Sequence, residues 1–170
     1  METEELRLAG VIRESIVDGP GWRFVVFTQG CPHCCEGCQN PQTHDFAGGY
    51  LSNTQNLLRE IKKDPLLAGI TLSGGEPFCQ AKPLALLARQ VHKLGLNVMA
   101  YSGWTFEELW QDKEKHEGWR ELLEETDILV DGKFILAEKS LSLKFRGSKN
   151  QRVIDAKASM CEGKAIEMEL

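Results

Sequence analysis

The sequence feature that most constrains the fold is a repeated alternation of apolar strands, polar loops and amphipathic helices. Four segments have the pattern of buried strands, because they are short, apolar and bounded by glycine or polar residues. The alternation occurs at least three times, which is typical of parallel strands joined by right-handed crossovers. The sequence therefore predicts an α/β fold of repeated βα units with a mainly parallel sheet. The four predicted strands are residues 22–28, 69–72, 96–101 and 127–131, and a looser first strand covers residues 6–12.

Capping signals give approximate bounds for the helices. Ser52 followed by Gln55, and Thr105 followed by Glu108, have the spacing of a capping box at a helix start. Pro83 suits the first turn of another helix, because its missing N–H has no partner there in any case. The predicted helices cover residues 52–63, residues 83–94, and residues 105–125 with an interruption near Gly118.

Length and composition restrict the function classes. The 170 residues fit a single domain over residues 1–170, with residues 156–170 predicted as an irregular C-terminal tail. A net charge of -5 without any basic stripe makes nucleic acid an unexpected partner. The chain has no apolar run of about 18 residues and opens on acidic residues rather than a secretory signal. We therefore expect a cytoplasmic protein that does not enter a membrane.

Four of the six cysteines lie within eight residues of one loop, in the segment TQGCPHCCEGCQNP that follows the strand 22–28. In a reducing compartment, clustered thiols are better explained as metal ligands than as disulfides. Two registers are possible. Cys31, Cys35 and Cys38 give C-x3-C-x2-C, and replacing Cys35 by Cys34 gives C-x2-C-x3-C. Because Cys34 and Cys35 are adjacent, both are not expected to face the same metal.

Three thiolates suit either an iron-sulfur cluster or zinc. A four-iron cluster held by only three cysteines would keep one iron open for another ligand. The rival interpretation is a structural zinc knuckle, with Cys79 or Cys161 as its fourth ligand. Otherwise these two cysteines are predicted to be small buried hydrophobic residues. His33 is another conceivable ligand, although a solvent-facing or hydrogen-bonding role is favoured for it.

Other polar loops are predicted at the ends of the neighbouring strands. Gly74 and Gly75 carry no Cβ, so a ligand could approach their backbone, and Glu76 offers a carboxylate to an α-ammonium group. Ser102 and Asp131 follow the next two strands. Since the carboxyl ends of parallel strands meet at one edge of a sheet, these loops and the cysteine loop are expected to converge.

The C-x3-C-x2-C spacing followed by a GGE loop resembles the radical S-adenosylmethionine enzymes. The segment DGPGWRFVVFTQGC at residues 18–31, together with YSGW, LVDGKF and LSLKFRGSKNQRVID further on, resembles the glycyl-radical-enzyme activases within them. The resemblance covers about residues 7–155. It implies an open partial barrel, an oxidoreductase activity, and a [4Fe-4S] cluster held by Cys31, Cys35 and Cys38, with Cys34 as the spare cysteine.

The resemblance also implies how the site works. One electron from the reduced cluster would cleave S-adenosylmethionine to methionine and a 5'-deoxyadenosyl radical, which would remove a hydrogen atom from a glycine of a partner. Gln39 stands where many members have an aromatic residue against adenine. Asp131 and Arg146 are further candidates for the site. The cofactor contacts implied by position are Gly37, Cys38, Gln39, Gly74, Gly75, Glu76 and Ser102.

The partner implied is a glycyl-radical enzyme, an anaerobic ribonucleoside-triphosphate reductase, with an external one-electron donor. Residues 140–152, including Lys149 and Arg152, and the loops around Tyr50 are predicted to dock this partner, because they are polar and glycine-rich at the edge of the site. Three alternatives remain open: an activase of pyruvate formate-lyase, a radical enzyme acting on a small molecule, and a zinc-binding interaction module.

Overall fold

The computed structural model describes residues 2–170, which form one seven-stranded sheet with helices packed against it. The strand order is β3-β1-β2-β4-β5-β6-β7. The central four strands, β2, β4, β5 and β6, are parallel, which confirms the predicted α/β class. Antiparallel strands lie at both edges of the sheet, β1 and β3 at one edge and β7 at the other. The strands are β1 Glu5–Ser15, β2 Arg23–Thr28, β3 Tyr50–Asn53, β4 Gly69–Gly74, β5 Asn97–Tyr101, β6 Ile128–Asp131 and β7 Arg152–Asp155.

Five helices bury their apolar faces against the sheet. In the first helix Leu57, Leu58 and Ile61 are buried, as their spacing along one face requires. The second helix is the most deeply buried, with seven buried residues among its twelve. The helices are α1 Thr54–Lys62, α2 Ala81–His92, α3 Phe106–Asp112, α4 Trp119–Glu125 and α5 Ala156–Glu162. Within residues 2–170, none of them has the length and apolar character needed to cross a membrane.

The strand register brings the predicted loops to one edge. Thr28 at the end of β2 is paired with Gly74 at the end of β4, and Tyr101 at the end of β5 is paired with Val130 near the end of β6. The loops that follow these strands therefore start side by side. This is the convergence that the parallel arrangement predicted.

One of the two predicted capping boxes is confirmed, and the other is not. Asn53, rather than Ser52, caps α1 by accepting a hydrogen bond from the Asn56 N–H. Ser52 belongs instead to the short edge strand β3, where it is paired with Leu6. The predicted cap at Thr105 is confirmed, because its hydroxyl accepts from the Glu108 N–H. The predicted interruption is also present, since Gly118 has a φ of 83° directly before α4.

The irregular tail predicted after residue 156 is only partly correct. Asp155 accepts a hydrogen bond from the Ala158 N–H and starts α5, and Gly163 ends it in the left-handed conformation. Beyond the helix, the Met168 N–H donates to the Val153 carbonyl, so the chain returns to the sheet edge. A seven-residue helix contains too few apolar repeats to be recognised by periodicity, which explains the error.

Candidate functional site

A cavity of about 500 Å³ opens at the carboxyl edge of the parallel strands. Cys31, Cys35 and Cys38 all line it, whereas Cys34 does not. The opposite walls are formed by the loop after β4, the turn after β5 and residues 140–147. The three cysteines of the C-x3-C-x2-C register therefore face one common space.

The local backbone separates Cys34 from the other three cysteines. Cys34 has a φ of 52°, in the left-handed region that few residues other than glycine adopt, and it is exposed. The Cys38 N–H donates to the Cys35 carbonyl at 3.2 Å, which closes a turn between these two residues. The Asn40 N–H donates to the Cys38 sulfur at 3.4 Å.

The Cys31 thiol is half-buried and lies near groups that carry negative charge when ionised. Burial raises its pKa to about 11, a backbone hydrogen bond from His33 opposes this, and Glu76 adds to the increase. Cys35 and Cys38 also raise the pKa of Cys31, so the three sulfur atoms are close enough to influence one another. Because metal ligation needs thiolates, a bound cation would have to displace this proton.

The two candidates for a fourth zinc ligand do not line the cavity that the other three cysteines share. Among residues 2–170, no three His, Cys, Asp or Glu side chains come close enough to hold one ion. Cys79 and Cys161, the candidates for a fourth zinc ligand, are both exposed, so the prediction that they are buried was wrong. On its short 3-10 turn Phe78 takes the buried position next to Cys79, and Cys161 lies on the outer side of α5.

Gly74 and Gly75 allow the loop after β4 to pack against the cysteine loop. Gly74 has a φ of 94°, and a Cβ there would lie 2.5 Å from the Thr28 nitrogen. A Cβ on Gly75 would overlap the carbonyl oxygen of Gly30. Both glycines also line the cavity. Close backbone packing therefore requires glycine here, whether or not a ligand approaches as well.

Glu76 is completely buried, and its carboxylate accepts four hydrogen bonds from the protein. Its Oε1 atom accepts from His33 Nε2 at 2.6 Å, from Ser102 Oγ at 3.0 Å and from the Gly103 N–H at 2.8 Å. Its Oε2 atom accepts from the Phe78 N–H at 3.0 Å. The carboxylate does not line the cavity. A contact between Glu76 and a cofactor amine stays a prediction.

His33 is not solvent-facing. Its side chain is only 5% exposed, and its ring meets the Trp104 ring edge-on, with a centroid distance of 4.5 Å. Of the two roles considered for this histidine, the structure has the hydrogen-bonding one. Its partner, Glu76, could not have been identified from spacing alone, because 43 residues separate the two.

The remaining predicted residues divide into two groups. Gln39, Ser102 and Arg146 line the cavity, and Arg146 also donates to the Gln151 carbonyl at 2.6 Å. Gly37 and Asp131 do not line it. Gly37 packs near Leu136 with a φ of 74°, which shapes the cysteine loop. The Asp131 carboxylate accepts from the Phe106 N–H and from Arg152, so it has the structural role considered as its alternative.

Residues 140–147 form a wall of the cavity, whereas the sequence predicted only Arg146 of this segment inside the site and the rest at its edge. Leu141, Leu143 and Phe145 line the cavity from this segment. The Tyr101 hydroxyl donates to the Phe145 carbonyl at 2.5 Å, which ties the segment to the end of β5. Burial raises the pKa of Tyr101 above its ordinary value, so the hydroxyl keeps its proton. The signal in the sequence was the alternation of apolar and polar residues in LSLKF, which is typical of a segment with one buried face.

The chain is similar to several known proteins over most of its length. The family model "4Fe-4S single cluster domain" matches residues 17–154. The anaerobic ribonucleoside-triphosphate reductase-activating protein of Haemophilus influenzae is 32% identical over 144 residues, covering 80% of this chain and 89% of that protein. The protein of the same name from enterobacteria phage T4 is 34% identical over 146 residues, with coverages of 81% and 86%.

Two further matches cover a smaller share of the matched protein. The pyruvate formate-lyase-activating enzyme of Listeria monocytogenes is 36% identical over 156 residues, which are 88% of this chain and 61% of that enzyme. The crystal structure of QueE from Escherichia coli matches with a TM-score of 0.47 and 17% identity, covering 59% of this chain and 53% of QueE. On the family model and the identity to the first two relatives, the chain has a 4Fe-4S single cluster domain and belongs to the family of anaerobic ribonucleoside-triphosphate reductase-activating proteins.

Proposed function

We propose that the protein is a radical S-adenosylmethionine activase that generates a glycyl radical on an anaerobic ribonucleoside-triphosphate reductase. The observation that carries the proposal is the single cavity lined by Cys31, Cys35 and Cys38 at the carboxyl edge of the parallel strands. The match covers 89% of the reductase-activating relative but 61% of the pyruvate formate-lyase-activating one. This difference favours the reductase as the protein substrate.

Cys31, Cys35 and Cys38 would hold a [4Fe-4S] cluster, and the fourth iron would have no protein ligand. When bound, the cluster supplies the single electron, received from an external donor, that cleaves S-adenosylmethionine. The outward position of Cys34 supports its exclusion from the ligand set. An iron without a protein ligand suits a site that must bind another molecule.

S-adenosylmethionine would occupy the same cavity. The volume of about 500 Å³ is within the range of about 300–1,000 Å³ typical of small-molecule sites. Gln39 and Ser102 offer hydrogen-bonding groups to it, and Gly74 and Gly75 present their backbone. Glu76 would act through the loops that it joins, because its oxygens already accept four protein hydrogen bonds.

The protein substrate would enter through the mouth of the cavity, where two exposed apolar side chains come from different segments. Val17 follows β1, and Leu141 belongs to residues 140–147. Leu141 is 91% exposed, more than any other large hydrophobic residue in the described chain. Lys149 is also exposed, so it suits docking. Arg152 does not suit docking, because its side chain is held by Asp131. Apolar side chains exposed beside a cavity are a common feature of interaction sites.

The test is anaerobic reconstitution with iron and sulfide, followed by dithionite and S-adenosylmethionine. We expect a brown protein that releases 5'-deoxyadenosine, and a variant with alanine at Cys31, Cys35 and Cys38 that does neither. Cys161→Ala is the matched control, because Cys161 is exposed on α5 and does not line the cavity. A folded wild-type protein without a cluster or without cleavage would overturn the proposal.

A second assay identifies the protein substrate. The reconstituted protein is incubated with the reductase or with pyruvate formate-lyase from the same organism, and the glycyl radical is measured by electron paramagnetic resonance. We expect the signal with the reductase only. A signal with pyruvate formate-lyase alone would show that the reductase is the wrong partner.

A further inference from the structure

We propose that His33 is a positioning residue that fixes the cysteine loop relative to the other loops of the site through its hydrogen bond to Glu76. The inference rests on the proposed function in one respect, which is that the cysteine loop holds a cluster. The hydrogen bond itself belongs to the protein without a cluster, so it can be tested there.

His33 is the one residue of the loop interior that is tied to another loop. Within residues 32–37 of the described chain, no other side chain or backbone group forms a hydrogen bond outside residues 31–38. The start of the loop is anchored, since the Cys31 N–H donates to the His44 carbonyl, whereas the Asn40 N–H donates within the loop, to Cys38. The path from Cys31 to Cys35 therefore depends on the contact that His33 makes.

The chemistry of this contact makes it strong. An ionised carboxylate can only accept, so His33 Nε2 carries the hydrogen that points at Glu76 Oε1. The two atoms are 2.6 Å apart, and both side chains are almost fully buried. Hydrogen bonds to charged groups are short and stronger than those between neutral groups.

Loss of this hydrogen bond would affect the cysteine loop more than the core. Glu76 would still accept from Ser102, Gly103 and Phe78, so its carboxylate would not be left without donors. Among the described residues, the interior of the cysteine loop would lose the hydrogen bond that joins it to another loop, and only the local turn from Cys38 to Cys35 would stay. A substitution at His33 therefore loosens the loop without leaving a buried charge unpaired.

The ring of His33 is also held by packing, and the two contributions can be separated. Trp104 meets the ring edge-on at 4.5 Å. A Cβ on Gly103 would lie 2.6 Å from His33 Nε2, so glycine at this position leaves room for the ring. His33→Phe retains an aromatic ring but cannot donate, whereas His33→Gln retains a donor but has no ring.

The test measures the anaerobic alkylation rate of Cys35 in the reduced, cluster-free protein at fixed pH by mass spectrometry. We expect His33→Phe to react roughly tenfold faster than the wild type, as loss of a charge-assisted hydrogen bond predicts. His33→Gln should remain close to the wild-type rate. His92→Phe is the matched control, because His92 contacts Glu125 and Asp127 away from the cysteine loop. It should leave the alkylation of Cys35 unchanged.

A second readout uses the reconstituted proteins. We expect His33→Phe to change the electron paramagnetic resonance spectrum of the reduced cluster, and His33→Gln to restore it. If His33→Phe does not fold, His33→Asn replaces it, because its shorter side chain cannot reach Glu76. Wild-type alkylation rates and spectra in these variants would overturn the inference and leave the proposed function intact. A wild type without a cluster would overturn the proposed function, but not the alkylation result.

Discussion

Arg152 at the start of β7 holds the buried carboxylate of Asp131 at the end of β6 with two hydrogen bonds. Arg152 Nε donates to Asp131 Oδ1 at 3.0 Å, and Nη2 donates to Oδ2 at 2.5 Å. The two residues are also paired across the antiparallel strands. The pair raises the pKa of Arg152 above its ordinary value, through its hydrogen bonds to Asp131. Arg152 thus closes the edge of the sheet beside the site and is not free to dock a partner.

Replacing Arg152 with alanine should therefore destabilise the fold. The Asp131 side chain is 1% exposed, and removing one partner of a buried pair costs about 3–5 kcal/mol. Because 28% of the Arg152 side chain is exposed to solvent, which screens the pair, we expect a loss of about 2–3 kcal/mol. Urea denaturation measures this as a lower midpoint at an unchanged slope.

The matched control is Lys149→Ala, because Lys149 is an exposed cation three residues away. Its free energy of unfolding should stay within about 0.5 kcal/mol of the wild type. If Arg152→Ala has the wild-type midpoint, the ion pair does not stabilise this edge.

Gly75→Ala should destabilise the protein, because the added Cβ would overlap the carbonyl oxygen of Gly30. Overpacking of a rigid backbone contact costs about 1–3 kcal/mol. Gly10→Ala in β1 is the control, since a Cβ there would have no neighbour within 4 Å. It should be neutral or slightly stabilising, through a smaller entropy of the unfolded chain. Equal midpoints for the two variants in thermal unfolding would refute the packing argument.

The ligand set predicts different effects for two adjacent cysteines. Cys35→Ala should lose most of the iron, which is about four per chain in a complete cluster. Cys34→Ala should keep it, because Cys34 points away from the cavity. Iron and sulfide content after anaerobic reconstitution measures the difference. Loss of iron in Cys34→Ala with retention in Cys35→Ala would select the other register.

The sequence predicted the central sheet well, because short apolar runs between glycines have few alternative structures. The edge strands β3 and β7 and the helix α5 were not assigned, since none of them has a long apolar run: β3 has no buried residue, and β7 and α5 have two each. Asn53 and Asp155 supply the caps at these points, and both residues are common in turns as well. Local patterns therefore identify the buried strands, and tertiary contacts determine the edges.

For the site, the sequence predicted which loops meet, but not how Glu76 is used. Spacing shows that a carboxylate follows two glycines, and it cannot show whether the carboxylate points outward or inward. Glu76 turns inward because His33, Ser102 and Gly103 all direct donors at it. Its role in joining loops was therefore visible only in the structure.

If the reductase docks at the mouth of the cavity, a charge at position 141 should reduce glycyl-radical formation on the reductase without reducing the cleavage of S-adenosylmethionine. Leu141 is 91% exposed at the mouth of the cavity, so aspartate there should leave the fold intact. The charge would have to be desolvated against the partner, which we expect to reduce the glycyl-radical yield per 5'-deoxyadenosine released by roughly tenfold or more. Both products are measured in one anaerobic reaction with the reductase.

Leu66→Asp is the matched control for this experiment. Leu66 is 73% exposed, but it lies before β4, at the opposite end of the strand from the site. Its ratio of the two products should equal that of the wild type. Because both variants add the same charge to an exposed leucine, a general effect of charge on solubility or association would lower both ratios equally. An equal decrease in both variants, or none in Leu141→Asp, would show that the mouth of the cavity is not where the reductase docks.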